Sequence, residues 1–249
     1  MRGAAILGFV VLLCTSCHPS RGWTEPWTRM RFVRIPAGTF VMGSPMSEAG
    51  RRNDETQHRV VISRSFYMSA TEVTQAQWKT VMGSSPSFFR DGVPELPVER
   101  VTWYDVQAFL QRLSAHGGGH FRLPTEAEWE YACRAGTSTE YAFGGRLSTE
   151  AANYNGHRPM RVASYRANRW GLYDMHGNVW EWCADEYCPY PDHQVRDPVN
   201  RCGSRYKVIR GGSWYFDAGS ARSALRYTHE PQWRGFSIGF RVVRDDPGR

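Results

Sequence analysis

Gly171-Leu172-Tyr173-Asp174-Met175-His176-Gly177-Asn178-Val179-Trp180-Glu181-Trp182 is the stretch on which the reading of this chain turns. Two carboxylates, Asp174 and Glu181, flank Gly177-Asn178, a pair that favours a tight turn. A tight turn directs backbone carbonyls to one side. Two carboxylates with the carbonyls of Gly177 and Val179 then form a hard oxygen cage that suits Ca2+. Spacing alone leaves a plainer alternative open, a turn in which Glu181 pairs with one of the many arginines. At least one of Trp180 and Trp182 reads as core packing.

Upstream, Phe121-Arg122-Leu123-Pro124 leads into Thr125-Glu126-Ala127-Glu128, a capping box that opens a helix running through Trp129 and Cys133. Thr102 caps another helix. Asp105 follows three residues later, and Val106, Phe109, Leu110 and Leu113 share one face. A shorter helix is read over residues 71–83, with Thr74 and Gln77 as its box and Gly83 as its stop. Before these lie four short strand-like segments, near residues 31–36, 38–44, 58–62 and 65–68. From Gly136 onward there are short strands between Gly, Asn and Pro turns. Strands, then helices, then a long loop-and-strand half predict a single α+β domain.

Composition agrees. With 41% apolar and 22% charged residues, the 249-residue chain reads as a globular domain. Ten Trp, twelve Tyr and twelve Phe beside 24 Gly and 14 Pro indicate a loop-rich fold held by flat side chains. The net charge is +7, but the arginines are scattered and no basic run carries a nucleic-acid motif, so nucleic acid is not an expected partner. A mildly basic surface is expected instead.

The N-terminus carries an address. Met1-Arg2 precedes a short apolar run from Gly3 to Leu13, which reads as a signal peptide. Thr15-Ser16-Cys17 resembles a bacterial lipoprotein cleavage site, although Cys14 stands where an aliphatic residue is usual. Lipidation at Cys17 after removal of the signal is expected. His18, in place of a retaining Asp, favours the outer membrane. Localisation is thus read as periplasm or cell surface, lipid-anchored, with residues 18–30 as a tether, 31–244 as the domain and 245–249 as a tail.

Four ordered segments carry a family resemblance. They are Ile35-Pro36-Ala37-Gly38-Thr39-Phe40-Val41-Met42-Gly43-Ser44, Arg122 to Ala132, Gly171 to Trp182, and Arg210-Gly211-Gly212-Ser213-Trp214 with Gly239-Phe240-Arg241. Together they resemble the sulfatase-modifying-factor family, whose founding activity is formylglycine generation. The resemblance implies a loop-rich variant of the C-type lectin fold. It implies one structural calcium at Asp174, Gly177, Val179 and Glu181. A second calcium loop begins alike at Asn153-Tyr154, but Arg158 and Arg161 stand where acidic ligands would be, so only one site is expected. The resemblance also implies a substrate cleft lined by Trp180 and Ser213, beside which Trp214 is a further candidate.

The family's oxidases carry two cysteines five residues apart just after Gly-Gly-Ser, whose thiolates bind copper(I). Here Phe216 and Ala221 occupy those positions, so copper is not expected. Cys183 and Cys188 share the spacing but lie upstream. In an exported protein they are better read as disulfide candidates, with Cys202 pairing with one of them. No H-E-x-x-H or G-x-S-x-G is present, Ser213 has no evident base, and the histidines read as surface or loop groups. The expected function is an exported accessory or binding protein whose cleft takes a peptide, protein or glycan. The alternative is a formylglycine-generating oxidase with relocated cysteine ligands.

Overall fold

Each of the three capping boxes starts a helix in the computed structural model, which describes residues 22–246. In chain order the first half contains β1 (Trp23–Thr24), β2 (Arg31–Ile35), β3 (Gly38–Met42), β4 (His58–Ile62), β5 (Phe66–Ser69), α1 (Gln75–Met82), α2 (Trp103–His116), β6 (Phe121–Arg122) and α3 (Glu126–Arg134). The second half contains β7 (Trp180–Glu186), β8 (Val195–Arg196), β9 (Lys207–Arg210), a 3-10 turn at Ala218–Ala221, β10 (Tyr227–His229), β11 (Ile238–Gly239) and β12 (Val243–Asp245). This is the expected α+β domain.

Thr74, Thr102 and Thr125 each accept from the backbone N–H three residues on, while Gln77, Asp105 and Glu128 accept from the capping residue's own N–H. Two otherwise orphaned donors are satisfied at each helix start. The first helix begins at Gln75 rather than Thr71, because Thr74 is extended. Gly83 ends it in the left-handed region, at φ 82°. Val106, Phe109, Leu110 and Leu113 are buried as one face of α2.

The strands form three sheets, ordered β1-β2-β5-β12-β6, β10-β9-β7-β11 and β3-β4-β8. The strand β7 divides two cores. Trp180 and Trp182 belong to one, with Trp78, Phe109 and Phe240; Cys183 belongs to the other, with Trp129, Val208 and Met68. Alternate side chains of a strand point to opposite faces, so one strand serves both. Between Trp182 and Glu186 its register with β9 shifts. There the Trp103 indole donates to the Cys183 carbonyl at 2.9 Å, and Ala184 N–H donates to the Pro124 carbonyl at 2.9 Å.

Three expectations change. The tether is shorter than read: Trp23–Thr24 pairs with β2, and Glu25, buried, accepts from the backbone of Trp27 and Thr28. The domain also extends past residue 244, since Asp245 lies in β12. Arg210, Arg222, Arg226 and Arg241 are buried, each paired with a buried glutamate, so they are neutralised inside and the net positive charge stays with the surface. Two histidines, His58 and His176, are buried, not surface groups. Residues 1–21, with the signal and Cys17, lie outside the described residues. Among the described residues no helix is long and apolar enough to cross a membrane.

Cys202 pairs with Cys188, and Cys183 stays a buried thiol. The bridge spans a sequence separation of 14 and closes the loop holding Pro189, Pro191 and Pro198. Closing a loop of that size in the unfolded chain stabilises by about 3 kcal/mol. Replacing both cysteines by serine is expected to lower the unfolding free energy by about 2–4 kcal/mol in urea titration. A loss below about 1 kcal/mol would show that the loop is already ordered by its other contacts.

Candidate functional site

The turn at Gly177-Asn178 is knitted to the Gly-Gly-Ser segment. Gly177 N–H donates to the Gly211 carbonyl at 2.7 Å, and Trp214 N–H donates to the Asn178 carbonyl at 2.9 Å. Gly177 has φ 91°, and a Cβ there would lie 2.3 Å from the Asn153 carbonyl oxygen, so only glycine fits. This places two candidate features side by side, a buried carboxylate group and an aromatic surface.

Glu181 is held by three donors. Arg241 donates to both its oxygens at 2.6 Å, and the Trp129 indole donates to Oε2 at 2.7 Å. The plainer alternative read from spacing, an arginine partner, therefore holds for this carboxylate. Asp174 accepts from Ala163 N–H at 2.7 Å. Beside it stands Glu72, a residue the sequence reading did not single out. Its Oε1 accepts from the Asn178 side-chain amide at 3.0 Å, and no donor among the described residues reaches Oε2. Burial pushes the Asp174 carboxyl up to about 6, and burial with the neighbouring Asp174 and Glu181 drives Glu72 well above the usual carboxylate range. A carboxylate oxygen without a donor in a buried site fits a cation, so Glu72 joins Asp174 as a candidate ligand for the implied calcium, whereas Arg241 already neutralises Glu181. At the second loop, Asn153 donates to the Arg158 carbonyl and to Asn178 Oδ1, and Arg158 pairs with Asp91.

The cleft candidates are floor rather than wall. Trp180, Ser213 and Trp214 are 2%, 1% and 5% exposed. Around them runs a chain of rings, most of them not singled out by the sequence reading, and part of it reaches solvent. Phe88, Phe89, Trp214, Tyr215, Phe216, Trp180, Tyr227, His229 and Trp233 follow one another with centroid spacings from 5.0 to 6.1 Å. Phe236 packs on both Trp214 and Tyr215. Phe88, Tyr215, Trp233, Phe236 and Tyr227 are exposed, half of the exposed large hydrophobics among the described residues. Exposed rings grouped in this way form a candidate interaction surface. Arg158 stands over Phe89 at 5.7 Å and Arg52 over Tyr227 at 5.9 Å, which puts a guanidinium at two places along the run. The indole N–H groups of Trp180 and Trp214 have no acceptor among the described residues.

The positions where a copper-binding pair is implied are closed to such chemistry. Phe216 packs against the core beneath Trp180, and Ala221 is buried with its carbonyl accepting from His176 Nδ1 at 2.7 Å. The remaining thiols are no substitute. Cys133 lies 3.7 Å from His176 Nε2, but burial pushes its thiol up to about 12 and the imidazole down to about 4, so neither charges near neutrality. Burial likewise drives Cys183 well above the usual thiol range. Glu186 lies near Cys188 and Cys202, whose sulfurs are spent on each other. Trp182 is a core residue, its indole donating to the Val101 carbonyl at 3.0 Å.

Comparison with known proteins bears on the same segments. Residues 24–246 match the family model described as the sulfatase-modifying factor enzyme 1-like domain. The formylglycine-generating enzyme of Streptomyces coelicolor is 30% identical over 284 residues, covering 86% of this chain and 88% of that enzyme. The serine/threonine-protein kinase pkn1 of Chlamydia caviae is 30% identical over 242 residues, covering 85% of this chain and 37% of the kinase, so the chain spans well under half of that relative. The structure of PvdO from Pseudomonas aeruginosa superposes with a TM-score of 0.81 at 30% identity, covering 92% of this chain and 99% of PvdO.

Proposed function

The chain belongs to the sulfatase-modifying-factor family of formylglycine-generating-enzyme-like domains, and from that premise we propose that it is an exported accessory or binding protein, not an oxidase. It holds a peptide or glycan segment along the ring surface around Tyr215 and Phe236. A lipid at Cys17 keeps it at the outer membrane, facing the periplasm or the cell exterior. The observation that supports this reading most is the pairing of two facts. Phe216 and Ala221 stand where the family's oxidases need thiolates, yet five exposed aromatic residues border the same place. Flat exposed rings suit the faces of sugars and the side chains of extended peptides. The relocated-cysteine alternative requires Cys183 and Cys188 as a thiol pair, and Cys188 is bonded to Cys202.

Screening the mature, natively exported protein against peptide and glycan arrays tests this reading. Tyr215→Ala is the informative variant, because Tyr215 is 60% exposed and its removal leaves the core intact. Affinity for a screened ligand is expected to fall about tenfold or more, as at a typical aromatic hot spot. Metal analysis is expected to return no copper, and a cysteine-peptide oxidation assay no product. Unchanged affinity in Tyr215→Ala, or stoichiometric copper with free Cys183 and Cys188, overturns the proposal.

A further inference from the structure

We propose that Glu72 is a calcium ligand of this protein, acting with Asp174 and the turn at 177–179 in the place that the resemblance gives to the Glu181 side chain. Glu72 sits in the connection between β5 and α1, where its backbone neighbours are fixed. Val73 N–H donates to the Phe240 carbonyl at 2.9 Å, and Val98 N–H donates to the Val73 carbonyl at 2.8 Å. The side chain is therefore delivered inward, and the residue is 1% exposed. Its contact with Asn178 ties it to the turn that would contribute the carbonyls.

Two observations converge on a cation. The first is the orphaned oxygen: Glu72 Oε2 is buried without a donor among the described residues, and the Glu72 and Asp174 carboxyl groups lie within hydrogen-bond reach of each other, two acceptors that a cation between them would reconcile. The second is charge. Glu72, Asp174 and Glu181 are three buried carboxylates gathered around one guanidinium, that of Arg241. Fully ionised, they leave two negative charges unbalanced, and one divalent cation neutralises them. Arg241 accounts for Glu181, so the deficit lies at Glu72 and Asp174. All the available donors are oxygens, the choice of a hard cation, and Ca2+ tolerates irregular geometry and retained water better than Mg2+. A cavity of about 470 Å3 is lined by Thr71, Ala163 and Tyr173, the chain neighbours of Glu72 and Asp174 and the residue whose N–H donates to Asp174.

The test uses the mature protein stripped with EDTA. Thermal unfolding is followed with and without millimolar CaCl2, and Tb3+ binding is followed by luminescence excited through the protein's aromatic residues. The midpoint of the wild-type protein is expected to rise saturably with Ca2+. Glu72→Gln keeps an acceptor for Asn178, and Asp174→Asn is near-isosteric. Each is expected to weaken Ca2+ and Tb3+ binding more than tenfold. Glu181→Gln is expected to lower the metal-free midpoint yet keep the calcium-dependent rise. No calcium response in the wild type, or wild-type affinity in Glu72→Gln, overturns the proposal, as does a folded Glu181→Gln that has lost the response. Should Glu181→Gln not fold, the other two variants decide. None of these readouts depends on ligand binding at the ring surface, so this proposal and the cleft proposal fail separately.

Discussion

Replacing Glu126 with alanine is expected to lower the unfolding free energy by about 3–5 kcal/mol, enough to unfold a marginal domain. Glu126 opens α3 and is completely buried. Arg226 grips both its oxygens, at 2.6 and 2.8 Å, and the Tyr190 hydroxyl donates to Oε1 at 2.9 Å. Arg210 lies 3.8 Å away. Burial alone would raise the Glu126 pKa, but the Arg226 and Arg210 guanidiniums outweigh it and hold the carboxyl below its ordinary value. In the alanine variant Arg210 keeps Glu130, whereas Arg226 keeps no carboxylate, just the carbonyls of Asp54 and Cys188 and the rings of Tyr190 at 3.7 Å and Tyr187 at 4.7 Å. The loss is thus the penalty of an unpaired buried charge, not the value of the pair. The control follows from the same argument. Glu126→Leu combined with Arg226→Met removes both charges and is expected to recover most of the loss in urea unfolding. If the double variant is no better than the single one, packing rather than charge dominates.

The difference in stability between wild type and Asp185→Asn is expected to shift by about 2–4 kcal/mol between pH 4 and pH 7.5, in favour of the variant at the higher pH. Asp185 is buried in β7, where Oδ2 accepts from Glu126 N–H and Oδ1 from Asn200 N–H, both at 2.8 Å. Burial, with Glu126 adding repulsion, pushes its carboxyl up to about 7. A carboxyl with a raised folded value keeps its proton in the folded state after the unfolded chain has lost it. Its contribution is complete below the unfolded value near 4 and fades as pH rises through about 7. The asparagine variant does not titrate, and the other carboxylates cancel in the difference. A gap independent of pH would show that Asp185 ionises as it does in the unfolded chain.

What was legible in the sequence is what is local. The capping boxes at Thr74, Thr102 and Thr125 are decided within three residues, so the helix starts could be read directly. The family segments were legible as patterns, and the oxidase cysteines were legibly missing at Phe216 and Ala221. The pairings that organise the interior were not. Arg226 and Glu126 are 100 residues apart, and Arg241 and Glu181 are 60 apart, distances at which spacing carries no signal. Glu72, one charged residue between a strand and a helix, looks like any solvated carboxylate until the fold buries it. Of the ring surface, only the consecutive Trp214-Tyr215-Phe216 was visible as a cluster; Phe89, Tyr227 and Trp233 join it through tertiary packing. The tether was misplaced because the signals for order within it, Trp23 and Trp27, were outweighed by their polar neighbours.

The strand between the two cores also governs where this protein can change length. One residue inserted or deleted within Trp180–Glu186 would turn every later side chain of β7 to the opposite face. Trp182 would then point into the core now filled by Cys183 and Trp129, and polar Asp185 would exchange places with a neighbour on the other side. No single compensating substitution repairs both cores at once. Growth and divergence of this chain are therefore channelled into its outer segments, such as the exposed residues 192–194 of the bridged excursion, which lie between Tyr190 and Val195, the two residues that seat it on the second core.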